Sequence, residues 1–194
     1  MKSIVLASGN RGKKAEIEQL LEPFGTRVVT QSELGITEAE EPYDTFFENA
    51  LAKARHAAFA TRLPALADDS GICVDALGGA PGVHSARYAG EPRSDARNNE
   101  KLLFELKNEN NRSAHYVCVL VLVRGPGDTD PLVAQAEWHG VIAHAPRGTN
   151  GFGYDPYFLV PGLGKTAAEL APEYKNRLSH RGQALAKLLE LLKA

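Results

Sequence analysis

The sequence predicts an α/β protein built on a mixed central sheet flanked by helices. Three observations carry that expectation. Residues 115–125 (HYVCVLVLVRG) form a nearly continuous β-branched run, the pattern of a strand covered on both faces. Residues 45–61 and 179–194 place apolar side chains at helical spacing. Strands and helices alternate only loosely along the chain, which favours a mixed sheet over a fully parallel one.

The elements follow in order. Residues 2–8 (KSIVLAS) read as a buried strand ended by Gly9 and Asn10. A helix follows over 13–25, with Ile17, Leu20, Leu21 and Phe24 as its stripe and Pro23 and Gly25 as its stop. RVVTQ at 27–31 is a short second strand, and 35–44 is an acidic loop. From Thr45 a helix runs to 61 with Phe47, Leu51, Ala54 and Ala58 turned inward and Asn49 and Lys53 one turn apart on another face. PALADDSGICVDAL at 64–77 reads as a strand with its two aspartates at or just past the end. The glycine-rich stretch 78–94 reads as irregular, 95–107 as a helix, and 132–143 as a further strand. A long loop, 146–162, leads into a strand, and the final helix carries Leu185, Leu188, Leu189 and Leu192 as its stripe.

At 194 residues the chain suits a single domain, burying about 70% of its unfolded surface without metal or disulfide staples. A net charge of −2 provides no basic field to hold nucleic acid or an anionic membrane, so any anion site has to be local. No apolar run approaches the roughly 20 residues that cross a bilayer, and no signal segment opens the chain. A soluble, cytoplasmic protein is expected. Cys73 and Cys118 both sit in apolar runs and read as buried, reduced thiols.

Five constellations could carry chemistry. Ser8-Gly9-Asn10-Arg11-Gly12-Lys13 lies between a strand and a helix, where backbone N–H groups and the helix dipole favour an anion. Its spacing is not that of a P-loop, and a plain strand-to-helix turn stays open as a reading. Asp68-Asp69-Ser70-Gly71 sets two adjacent acids beside an apolar run, which is costly unless a cation or hydrogen bonds meet them. A magnesium ion held with substrate phosphate oxygens would explain the pair, and an Asx-turn before Gly71 is the alternative. Neighbouring strand residues face opposite ways, so only one aspartate should face a site.

Glu40-Glu41 stands upstream of the helix carrying Lys53, although acidic loops are commonly just solvated. Phe152, Gly153, Tyr154 and Asp155 form an aromatic loop in which Phe152 could stack on a flat base, or plug the core instead. Lys175, His180 and Arg181 gather positive charge at a helix start, unfavourable there unless an anion or polar ring arrives. The histidines lack zinc spacing, and no serine or cysteine lies in a nucleophile motif. Anion-binding groups, carboxylates and a base-shaped loop together suit metal-assisted nucleotide hydrolysis.

The same residues resemble the inosine/xanthosine triphosphate pyrophosphatase family. LASGNRGK, EE…TFFENALAKARHA, LADDSG, GGAPGVHSARYAG, GTNGFGYDPYF, GKTAAEL and SHRGQAL occur in order over essentially the whole chain. The resemblance implies an elongated fold with two lobes around a substrate cleft, and a homodimer. It implies magnesium-dependent hydrolysis of XTP, ITP and dITP to the monophosphate and pyrophosphate. By that resemblance Ser8 to Lys13 and Lys53 bind the triphosphate, and Asp69 with Glu41 or its neighbour Glu40 holds magnesium. Asp69 also accepts the proton of the attacking water, Asp68 supports it, and Ser70 contacts substrate. Phe152 to Asp155, Lys175, His180 and Arg181 hold the nucleoside. Pro42-Tyr43-Asp44 departs from the family's usual small residues after the glutamates, which leaves that loop's geometry open. A Maf-like pyrophosphatase is the competing enzyme reading, but its serine-proline-arginine-arginine opening is absent here. A nucleotide sensor would have no need of Asp69 and a metal partner.

Overall fold

The computed structural model describes residues 3–193, so Lys2 of the first predicted strand and Ala194 of the last predicted helix lie outside it. Strands are β1 (Ser3–Leu6), β2 (Arg27–Thr30), β3 (Ala65–Val74), β4 (Ser113–Val123), β5 (Leu132–Ile142), β6 (Phe158–Val160) and β7 (Lys165–Thr166). Helices are α1 (Arg11–Leu21), α2 (Phe46–Thr61), α3 (Asp95–Glu105), α4 (Pro172–Leu178) and α5 (His180–Leu191). Among the described residues one sheet runs β2-β1-β3-β4-β5-β6-β7. β1 pairs in parallel with β2 and β3, whereas β6 pairs antiparallel with β5 and β7, so the sheet is mixed as expected.

The chain forms two compact units. The first comprises Met1–Asp69, Cys118–Ala136 and Arg181–Ala194, and the second Ser70–Val117 and Glu137–His180. In the first, Ile4, Leu6, Ile17, Leu21, Leu66, Leu120, Leu122, Leu185 and Leu188 make the core. In the second, Ile72, Val74, Leu102, Tyr116, Trp138, Ile142, Tyr154 and Phe158 do so, with the Tyr116, Trp138 and Phe158 rings packed together. Among the described residues no helix is long and apolar enough to cross a membrane.

Helix starts obey local chemistry. Asn10 caps α1 by accepting from the amides of Gly12 and Lys13, Thr45 caps α2 through Glu48, and Ser94 caps α3 through Arg97. Where the stripes end, the structure corrects the expectation. α1 stops at Leu21 and a tighter 3₁₀ turn, Glu22–Phe24, swings Phe24 off the stripe and into solvent. Phe47 lies in the first turn of α2 and is exposed; the buried face is Ala50, Ala54, Ala57 and Ala58, and Asn49 and Lys53 are buried with it. Leu192 lies past the end of α5 and is exposed.

The largest correction concerns the aspartates. β3 continues through them, so Asp68 and Asp69 sit in mid-strand and the Asx-turn reading falls. The strand continues because both carboxylates find cations and because Gly71 lets it pass close to the chain. A β-carbon on Gly71 would lie 2.2 Å from the Gly82 carbonyl, and the Ile72 amide donates to Ser85 Oγ at 2.9 Å. Helix α4 was not expected at all. Its buried residues are Lys175 and Asn176, so no apolar stripe announces it. Within 78–94, expected to be irregular, Gly82–Arg87 forms a 3₁₀ segment.

Candidate active site

In the first unit, parallel pairing sets Leu6 opposite Leu66, which brings the loop after β1 beside the aspartates. Asp68 is fully buried, and its Oδ1 lies 2.6 Å from Lys13 Nζ while its Oδ2 accepts from Arg181 Nε at 2.5 Å. Glu16, on α1, pairs with the other side of the Arg181 guanidinium. Burial alone would raise the Asp68 carboxyl, but Arg181 and Lys13 hold it well below the usual carboxylate range.

Asp69 meets a different cation. Lys53 Nζ donates to Asp69 Oδ1 at 2.7 Å, to Glu41 Oε1 at 2.8 Å and to the Asp68 carbonyl at 3.0 Å. Burial raises the Asp69 carboxyl above its ordinary value, and the attraction of Lys53 and Lys13 only partly offsets this. Asp69 Oδ2 is buried and accepts no hydrogen bond. Burial acts on Lys53 in the opposite sense, lowering it, but Asp69 and Glu41 leave its ammonium raised. The two adjacent aspartates therefore differ as the strand geometry requires. One is a closed ion pair and the other keeps an oxygen uncommitted.

The Ser8–Lys13 loop spends most of its donors internally. Asn10 Oδ1 takes the Gly12 and Lys13 amides, Ser8 Oγ takes the Asn10 amide at 3.1 Å, and Glu38 Oε1 takes the Gly9 amide at 3.0 Å. The Gly9 amide thus already holds an anionic group. Arg11 is exposed, as is Glu40, while Glu41 is the acidic-loop residue that reaches Lys53.

The second unit gathers the aromatic loop. Asp155 is buried, and its Oδ2 takes the Phe152 amide at 2.9 Å and the Lys175 ammonium at 2.6 Å. That ammonium stands 5.2 Å from the centre of the Phe152 ring, close enough for a cation–π contact. Tyr154 is buried and donates to the Ser85 carbonyl at 2.8 Å, and Gly153 adopts a left-handed φ of 62°. His180 is buried and stacks on Tyr116 with centroids 4.6 Å apart and planes 7° apart. Ser70, at the start of this unit, is half-buried.

Sequence reasoning expected Arg181 at the nucleoside. In the structure its guanidinium is 2% exposed and paired with Asp68 and Glu16. Glu16, Glu38, Asp95, Asn99 and Tyr116 went unnoticed. The first four are ordinary polar residues whose partners lie far along the chain. Tyr116 was hidden in a run that reads as core. Both cysteines are free thiols, Cys118 buried and Cys73 half-buried.

Among the described residues no three His, Cys, Asp or Glu side chains are placed to hold a metal ion by themselves. Two carboxylates nevertheless converge on one ammonium, and one keeps a buried oxygen without a hydrogen bond. Hard oxygen donors in this number fit a magnesium ion that takes its remaining ligands from water and substrate.

The whole chain has close counterparts among known proteins. The Ham1 family pattern matches residues 4–191. The dITP/XTP pyrophosphatase of Nitrosomonas europaea is 62% identical over 192 residues, covering 99% of this chain and 95% of that protein. The dITP/XTP pyrophosphatase of Ralstonia nicotianae is also 62% identical, over 100% of this chain and 98% of its own. Among solved structures, a HAM1 protein from Coxiella burnetii superposes with a TM-score of 0.91 at 49% identity, covering 100% of this chain and 99% of that one. The chain belongs to the Ham1 family.

Proposed function

We propose that this protein hydrolyses non-standard purine nucleoside triphosphates, XTP, ITP and dITP, to the monophosphate and pyrophosphate. Relatives named dITP/XTP pyrophosphatase match 99% and 100% of the chain. The single observation that carries the assignment onto particular residues is Lys53 bridging Glu41 and Asp69, with Asp69 Oδ2 buried and without a hydrogen bond.

In this reading Asp69 is the catalytic base. Its Oδ2, buried and without a hydrogen bond, is the oxygen that would accept a proton from the attacking water, whose own acidity a bound magnesium ion would raise. Lys53 holds the carboxylate in place through Oδ1 and balances charge. Ser8, Gly9, Asn10, Arg11, Gly12 and Lys13 receive the triphosphate, with the Gly9 amide exchanging the Glu38 carboxylate for a phosphate oxygen. Asp68, locked between Lys13 and Arg181, keeps the loop lysine anchored to β3. Glu41 and Asp69 would hold magnesium, which would supply charge stabilisation for the departing pyrophosphate. Ser70 contacts the substrate.

In the second unit Phe152 stacks on the base, Gly153 to Asp155 and Lys175 fix the loop, and His180, stacked on Tyr116, completes the nucleoside-holding set. Hydrogen-bond donors at the base edge would match the 6-keto group of hypoxanthine and xanthine and oppose the 6-amino group of adenine. A buried donor left unpaired by the wrong base gives discrimination of about 10⁴. The enzyme acts as a homodimer in the cytoplasm.

Hydrolysis in ¹⁸O-labelled water tests the bond that is cleaved. Attack at the α-phosphorus puts label into IMP and none into pyrophosphate. Orthophosphate as first product, or label in pyrophosphate, contradicts it.

A further inference from the structure

The aromatic loop is gripped from a second side, by the first turns of α3. Asp95 Oδ2 accepts from the Gly153 amide at 2.8 Å, and Asn99 Nδ2 donates to the Gly153 carbonyl at 2.9 Å. Both backbone polar groups of one glycine are therefore held by two side chains four residues apart on one helix face. Asn99 Nδ2 also donates to the Asp95 carbonyl at 2.9 Å, which fixes the amide's orientation.

The grip has a cost that folding alone does not require. Asn99 is 7% exposed, and its Oδ1 is buried without a hydrogen bond. A buried acceptor left unmade opposes folding, so the donor side of that amide has to return something. What it returns is the position of Gly153. That residue has a left-handed φ of 62° and directly follows Phe152, whose amide is held in turn by Asp155. Phe152 thus stands between two anchors, Asp155 with Lys175 on one side and Asp95 with Asn99 on the other.

We propose that Asp95 and Asn99 are positioning residues for base selection, holding Gly153 so that the Phe152 ring is presented in one orientation. This rests on the reading of the aromatic loop as the base-binding element. The residues touch no reacting atom, so their loss should weaken base binding and discrimination while leaving turnover intact.

The test uses the full-length protein and the variants N99A, D95A, D95N and F152A. Kinetics are measured with ITP and with ATP, and amide hydrogen exchange is followed over residues 147–158. N99A and D95A should raise KM for ITP about tenfold, hold kcat within about twofold and narrow the preference for ITP over ATP. Exchange should speed up in the loop while thermal unfolding remains cooperative. D95N keeps a carbonyl oxygen that accepts from the Gly153 amide, so it should restore near-wild-type KM. Wild-type KM and exchange in N99A, or a fall in kcat at unchanged KM, would overturn the proposal. F152A separates this from failure of the underlying reading. If F152A raises KM and N99A does not, the clamp is wrong, whereas an unchanged KM in F152A shows that the loop does not bind the base, and the proposal falls with it.

Discussion

Lys53 Nζ lies 2.7 Å from Asp69 Oδ1, while the neighbouring Asp68 carboxylate is taken by Lys13 and Arg181. Adjacent aspartates of one strand are therefore held in opposite electrostatic states. Burial leaves Asp69 raised, and two cations leave Asp68 well below the usual carboxylate range.

Opposite pH linkages result. A carboxyl depressed in the folded state adds stability above its unfolded value and loses it as pH falls through the folded one. Asp68→Asn should cost about 3–5 kcal/mol at neutral pH, because it leaves a buried guanidinium short of a partner. That deficit should shrink as the pH falls below the ordinary carboxylate range. Asp69 works in reverse, since a raised carboxyl contributes most at low pH and loses stability as pH rises through its folded value. Asp69→Asn should therefore unfold no more easily than wild type at neutral pH. Urea denaturation of both variants across acid and neutral pH checks the pair, and equal destabilisation by the two would contradict it.

Gly71→Ala should destabilise the protein by at least 1–3 kcal/mol, roughly the cost of overpacking, since the new methyl meets backbone. The clash is with the Gly82 carbonyl at 2.2 Å and Ser85 Oγ at 2.5 Å. A shift in the urea midpoint measures it. An unchanged midpoint would mean that β3 passes this point less closely than described.

Glu38→Gln should lower KM for the triphosphate. The Glu38 carboxylate occupies the Gly9 amide and repels an incoming phosphate, while the amide variant carries no charge. Both groups are exposed, so the effect should be modest, about two- to fivefold at low salt, and should fade as salt rises. A salt-independent or opposite change in KM would remove Glu38 from the phosphate loop's chemistry.

Much of this was legible in the sequence, for reasons that also explain what was not. The β-branched run of β4 is a hydrophobic pattern that marks a strand, and the loose alternation of strands and helices pointed to the mixed sheet. α4 escaped because it buries Lys175 and Asn176, so no apolar period marks it. The aspartates were placed at a strand end because two acids in mid-strand look prohibitive until their cations are known. Those cations come from 55 and 113 residues away for Asp68, at Lys13 and Arg181. Pairings over such distances leave no trace in local spacing. The pairing of Arg181 with Glu16 and the contacts of Asp95 and Asn99 with Gly153 belong to the same class. Residue types announced that chemistry was present, and only the fold said which charge answered which.

Pyrophosphate release from ITP, XTP, dITP, GTP, ATP and dUTP tests the account most directly, with and without magnesium, for wild type and Asp69→Asn. Rapid, magnesium-dependent release from the first three is predicted. Asp69→Asn should lose several orders of magnitude in kcat while remaining folded, as expected for removal of a general base. Turnover of ATP equal to that of ITP, or an Asp69→Asn variant with near-wild-type kcat, would contradict it.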